Sequence, residues 1–148
     1  MKILSTVALP LIGLCLSVPS AFADTVPVTA LSSQADIVQA LDQGATVRLS
    51  LDLSHCRPDG VTSRTGKAKG GLTIDAYLVM DGVLSFSDSH PTVSRNGEPL
   101  WQFLRYQVKA DQSVTFTADM FQLPAYTRLG ERISYQCSIN EGIRFFRQ

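Results

Sequence analysis

The chain has 148 residues, with 13 basic and 13 acidic side chains, 45% hydrophobic content and 18% charged content. That is one domain's worth of sequence with enough apolar material for a core, which excludes a disordered tail. The balanced charge argues against a duplex nucleic-acid binder, which needs a concentrated basic surface.

The N-terminus carries a targeting pattern. Met1-Lys2 is a short positive region, Ile3 to Val18 is apolar, Pro19-Ser20 breaks the run, and Ala21-Phe22-Ala23 is a small-x-small cleavage site. These features predict a signal peptide over 1–23 and a single mature domain over 24–148. The apolar run falls short of the roughly 20 residues a spanning helix needs, and Ser5, Thr6 and Pro10 interrupt it. Leu14 precedes Cys15 where a lipobox wants a small residue, and no twin arginine is present, so general secretion is the expected route. No later run reaches membrane length. The mature chain is therefore expected in the periplasm or outside the cell, with no membrane span.

Residues 24–31 read as a loose lead-in. Ser33-x-x-Asp36 has capping-box spacing, Ile37, Val38 and Leu41 follow at helical intervals, and Gly44 can end the helix, which predicts a helix over 34–43. From Thr46 the period becomes two. Val47, Leu49, Leu51 and Leu53 alternate with polar residues, as in a half-buried strand. Residues 57–71 are glycine-rich and carry Arg57, Arg64, Lys67 and Lys69 against Asp59 alone. They read as a solvated loop, or as one that contacts an acidic partner.

Leu72, Ile74, Ala76, Leu78 and Met80 alternate again. Asp81-Gly82 is a two-residue hairpin signal, and its partner strand covers 83–89. Further strands are predicted over 100–109, 113–121, 132–139 and 143–147, with turns at 95–98 and 110–112, a corner at Leu123-Pro124-Ala125-Tyr126, and Asn140-Glu141-Gly142 joining the last two. Short connections between consecutive strands demand antiparallel neighbours. The fold class is mainly β: an antiparallel meander of about seven strands, curled as a sandwich or partial barrel, with one N-terminal helix packed on it.

Loss of the leader removes Cys15 and leaves Cys56 and Cys137. An even pair in an exported chain reads as a disulfide. The loop it closes is about 80 residues, worth about 4.5 kcal/mol in the chain-entropy model. Cys137 shares its phase with Ile133, Tyr135 and Ile139, so its sulfur should face the core. Strict alternation from Leu53 would turn position 55 inward instead of 56. A bulge or bend near Ser54-His55 is therefore expected.

Motifs for catalysis and metals are nearly absent. Gly60 and Gly66-Lys67 approach a phosphate loop, but the spacing is one residue too long and Ala68 replaces the magnesium-binding hydroxyl. No Cys-x-x-Cys, His-x-x-x-His or Gly-x-Ser-x-Gly occurs, so neither a metal nor a cofactor is implied. Phe86-Ser87-Asp88-Ser89-His90-Pro91 gathers Asp, Ser and His, and His90 reads first as a structural histidine at a strand end. The strand around Trp101 is apolar on both faces, so both should be covered. Arg105 lies in phase with Trp101 and Phe103, half-buried, with Asp75 or Asp88 as its candidate carboxylate. The alternative is a ligand pocket lined by Tyr77, Trp101, Phe103 and Arg105.

An ordered series of segments carries a resemblance: "LDLSHC" ending at Cys56, "GGLTIDAY" at 70–77, "LSFSDSH" at 84–90, "NGEPLWQFLRYQV" at 96–108, "LPAY" at 123–126 and "CSINEGIRFF" at 137–146. Together they resemble the VirK family of exported bacterial proteins, first recognised beside virulence genes of a plant-transforming bacterium. The resemblance covers essentially the whole mature chain. It carries over Asp52, Cys56, Gly70, Gly71, Asp75, Tyr77, Phe86, His90, Gly97, Gln102, Arg105, Tyr106, Cys137, Gly142, Phe145 and Phe146. It implies a virulence or host-association setting and no established activity or ligand.

The sequence thus points to an exported, disulfide-bonded, non-enzymatic binding or accessory protein. Its partner would be a protein or small molecule that the residues do not name, and its oligomeric state stays open. Two alternatives stand beside this reading. One is a small hydrolase or lyase using His90 with a nearby acid. The other is an inhibitor of a host or rival enzyme that inserts loop 57–71.

Overall fold

The computed structural model describes residues 27–61 and 64–148. The expected leader, 1–23, lies outside the described residues. Among those described, no helix is long and apolar enough to cross a membrane.

A short strand, β1 (Thr29–Leu31), replaces the loose lead-in. Helix α1 (Gln34–Asp42) follows with the predicted capping box: the Ser33 hydroxyl accepts from the Asp36 N–H, and the Asp36 carboxylate accepts from the Ser33 N–H. Ile37, Ala40 and Leu41 form its buried face. The remaining strands are β2 (Val47–Asp52), β3 (Arg57–Pro58), β4 (Lys69–Thr73), β5 (Tyr77–Met80), β6 (Val83–Val93), β7 (Pro99–Lys109), β8 (Ser113–Gln122), β9 (Thr127–Arg128), β10 (Ile133–Ile139) and β11 (Gly142–Arg147). The sheet has eleven strands where the alternation predicted about seven. The additions are β1, β3 and β9, and the predicted strand ending at Met80 divides into β4 and β5.

That division shapes the molecule. The main path of the sheet runs β4-β2-β11-β10-β8-β7-β6-β5, so β4 and β5 are its two edges. A flat sheet would hold such edges about 34 Å apart at normal strand spacing. The chain allows only the three residues Ile74 to Ala76 between them, a reach of about 14 Å from Thr73 to Tyr77. The sheet must curl, and it forms a half-barrel. The crossing also flips phase. Leu72 and Ile74 are half-buried and buried, whereas Leu78 and Met80 lie exposed.

The sheet is mainly antiparallel, with one departure from the hairpin expected after Ile139. β10 pairs with β11 in parallel, and only through Ser138 with Gly142 and Ile139 with Ile143. The chain turns a corner with Asn140 and Gly142 at φ +67° and +85°. β11 then pairs antiparallel with β2, and β1 covers the side that β10 leaves. Gly142 is needed here twice over: its φ suits glycine, and a Cβ would strike the Cys56 sulfur.

Cys56 and Cys137 form a disulfide with Cα atoms 4.5 Å apart. The expected bend takes the form of a 3₁₀ turn, Leu53–His55, between β2 and β3. It restores the phase and buries Cys56 while His55 faces water. Much of segment 57–71 is tied down, contrary to a freely solvated loop. β3 pairs with β10, the Asp59 carboxylate accepts from Ser134 and Gln136, Tyr135 donates to the Arg64 carbonyl, and Leu53 donates to the Ala68 carbonyl.

The concave face is filled at the end that α1 covers. Ile37, Val47, Leu84, Val108, Val114, Ile143 and Phe145 are wholly buried there. Phe86 stacks on Tyr106 at 5.0 Å between ring centres and meets Phe145 edge-on at 6.3 Å.

Candidate functional site

The same concave rows continue toward the far end, where their composition changes. Along β6 the inward phase reads Leu84, Phe86, Asp88, His90. Register sets these opposite Val108, Tyr106, Leu104 and Gln102 of β7, which in turn face Val114, Phe116, Ala118 and Met120 of β8. Polar groups thus enter an interior row. Beyond Phe86 the outer edge of β6 has no strand partner among the described residues, because β5 pairs with Val83–Phe86. Facing it is β4, whose other edge pairs with β2.

Between these edges lies a cavity of about 270 Å³. Its apolar walls include Leu51, Leu53, Leu104, Phe116, Met120 and Ile133, and its polar lining includes His90, Gln102 and Tyr106. Small residues create the space. Ala118 stands where neighbouring positions hold Phe116 and Met120. Gly70 pairs with Leu51 on the inward phase, and the place its side chain would occupy is empty. A mostly apolar cavity with a few polar groups is the usual make-up of a small-molecule site.

The polar groups are arranged. Asp88 and His90 sit two apart in one strand and so share a face. The Asp88 carboxylate meets His90 Nδ1 at 2.6 Å, which leaves Nε2 without a partner among the described residues. In a neutral ring with Nδ1–H on Asp88, Nε2 is an acceptor. Tyr106 is only 2% exposed, and its hydroxyl has no hydrogen-bond partner among the described residues. Burial pushes the Tyr106 phenol well above its ordinary range, and the Asp88 charge adds to the rise, so the phenol stays a proton donor.

The residues singled out as a binding set fall in several places, three of them together. His90 alone reaches the cavity. Tyr77, Phe103 and Arg105 border a shallow depression of about 320 Å³ near β5. Tyr77 also donates to the α1 residue Asp42 at 2.6 Å, which raises its own pKa. Trp101 packs against Tyr126 at 6.1 Å. Asp75 is exposed in the crossing segment. The outer face of β7 is not covered: Phe103 is 39% exposed, and Arg105 is exposed and in no ion pair among the described residues. An exposed guanidinium is satisfied by water, so it needs no carboxylate.

The outer face instead holds a cluster that alternation did not reveal. Asp119 of β8 is buried between Arg128 and Arg132, the second at 2.9 Å. Burial works to raise its pKa, but the two arginines outweigh it and hold the carboxyl below its ordinary value. A separate outer depression is charged, with Asp52 bonded to Lys69 at 2.7 Å and His55 beside it. Asp88 and Tyr106 also escaped the binding set. Their signal was the shared phase of Phe86, Asp88 and His90, which the expected strand end at residue 89 concealed.

These observations define a class: a disulfide-bonded half-barrel with a one-helix plug and an internal cavity at its open end. Residues 30–126 match the model of the family described as VirK protein. The chain belongs to the VirK family. It is 38% identical to a Rhizobium radiobacter protein described as uncharacterised, in the pinF2 3′ region, across 98% of this chain and 97% of that one. It is 39% identical to the uncharacterised protein y4wH of Sinorhizobium fredii (strain NBRC 101917 / NGR234), across 78% of this chain and 81% of that one. The fold matches the crystal structure of lpg1832, a VirK family protein from Legionella pneumophila. There the TM-score is 0.68 at 21% identity, covering 79% of this chain and 98% of that one.

Proposed function

We propose that this is an exported, non-enzymatic binding protein, acting in a virulence or host-association setting, whose half-barrel cavity receives a small ligand. The observation that carries the reading is the cavity itself, kept open by Gly70 and Ala118 in a concave face filled elsewhere by large side chains. Export is supported by the leader pattern and by the disulfide, which suits an oxidising compartment. The test is Gly70→Leu, which places a side chain in empty space at a φ outside the left-handed region. Wild-type protein should take up the neutral fluorophore N-phenyl-1-naphthylamine saturably, one per chain, and the variant should not. Absence of saturable uptake by the wild type, or equal uptake by both, overturns the proposal.

The Asp88–His90 contact favours a second reading, a small hydrolase or lyase. A carboxylate on Nδ1 orients the ring so that Nε2 could take a proton from water or substrate. Turnover of an ester, glycoside or peptide panel that is abolished in His90→Ala would establish this reading and displace the first.

A further inference from the structure

We infer, on the reading that the cavity is a binding site, that its ligand is a small uncharged molecule with an apolar body and a hydroxyl group. The hydroxyl supplies a donor for His90 Nε2 or an acceptor for the Tyr106 hydroxyl. Two cavity-lining groups of opposite kind, neither with a further protein partner among the described residues, support this. Nε2 of a neutral His90 seeks a donor, because Asp88 holds Nδ1. The Tyr106 hydroxyl has a proton to donate: its side chain lines the cavity, and the oxygen, not sealed from water there, has no protein partner among the described residues. Both groups are open to water, and a ligand that displaces that water must offer each the partner it loses.

Charged head groups fit less well. A carboxylate offers acceptors only, which fails Nε2, and it meets the field of Asp88. An ammonium offers donors only, which fails the Tyr106 proton, and it must shed its water among Leu104, Phe116, Met120 and Ile133. A hydroxyl both donates and accepts. The half-buried Gln102, opposite His90 across the β6–β7 ladder, can serve either polarity and so does not bias the choice.

The test compares four probes of one shape: 2-naphthol, naphthalene, 2-naphthoate and 2-naphthylmethylamine, titrated calorimetrically into the mature protein at pH 8. The inference expects 2-naphthol to bind at least ten-fold more tightly than the other three. It also expects Tyr106→Phe, and separately His90→Leu, to reduce 2-naphthol affinity several-fold while naphthalene affinity is unchanged. Naphthalene binding as tightly as 2-naphthol would overturn the inference and leave the cavity reading standing. Tighter binding of the anion or the amine would overturn it in the same way. Binding of none of the four would overturn both.

Discussion

The two ends of the half-barrel are built from the same strands and differ in what fills them. At the helix end, Leu84, Val108, Val114 and Phe145 are wholly buried in one core cluster with Ile37 of α1. At the open end, the continuations of β4, β6, β7 and β8 carry Gly70, Asp88, His90, Gln102 and Ala118. Large apolar side chains contribute most where nothing needs to enter. Small and polar ones give up packing where something does. Stability and recognition are thus separated along the length of each strand.

Substitutions at the two ends should behave oppositely. Phe145→Ala at the filled end should cost about 3–5 kcal/mol, read as a lower denaturant midpoint at unchanged slope. The disulfide lies outside the contrast but sets the background for it. Joint replacement of Cys56 and Cys137 by Ser should cost about 2–5 kcal/mol in the same measurement. Intact mass of native protein after alkylation without reduction should show no added groups at these cysteines.

On the outer face, Asp119→Ala should cost about 1–2 kcal/mol, because its two arginines are half-exposed and water screens the pairs. The depressed Asp119 pKa makes this effect pH-dependent. Its stabilisation is fully present above the ordinary carboxylate value of 3.8 and is lost as pH falls below it. The gap between wild type and variant should therefore close as pH drops from about 5 to about 2. Smallest of all, Gly70→Leu at the open end should shift the midpoint by less than about 0.5 kcal/mol, since nothing lies within 4 Å of a Cβ built there and the rest of the side chain has open space to enter. A large loss there would erase the contrast between the ends.

Much of this architecture was legible in the residues. The capping box placed α1, and Asp81-Gly82 marked a turn whose φ values, +51° and +72°, are those of the favoured hairpin. Alternation located β2, β6, β7, β8 and β10. The division of β4 from β5 was not legible, because the period of two runs through Ile74 and Ala76 while the chain changes partners. Pairing is a long-range property, and β1 and β3 are too short to leave a periodic signal. Trp101 and Phe103 stand out in the sequence by their bulk. Bulk does not say which face of a sheet is concave, and that depends on the curl.

The corner at Gly142 governs the order in which the molecule can be assembled. β11 follows every other described strand in the chain, yet it sits inside the sheet, between β2 and β10. Arg147 aligns with Thr29 on one side and with Val47 on the other, so the final residues join the first described strand to the second. A nascent chain can form the β6–β7–β8 meander early, from neighbours in sequence. It cannot seat β1 or complete β2 until β11 has been made. Pairings between such distant parts of a chain are slow to form, so the β1–β11–β2 part of the half-barrel should form after the β6–β7–β8 meander.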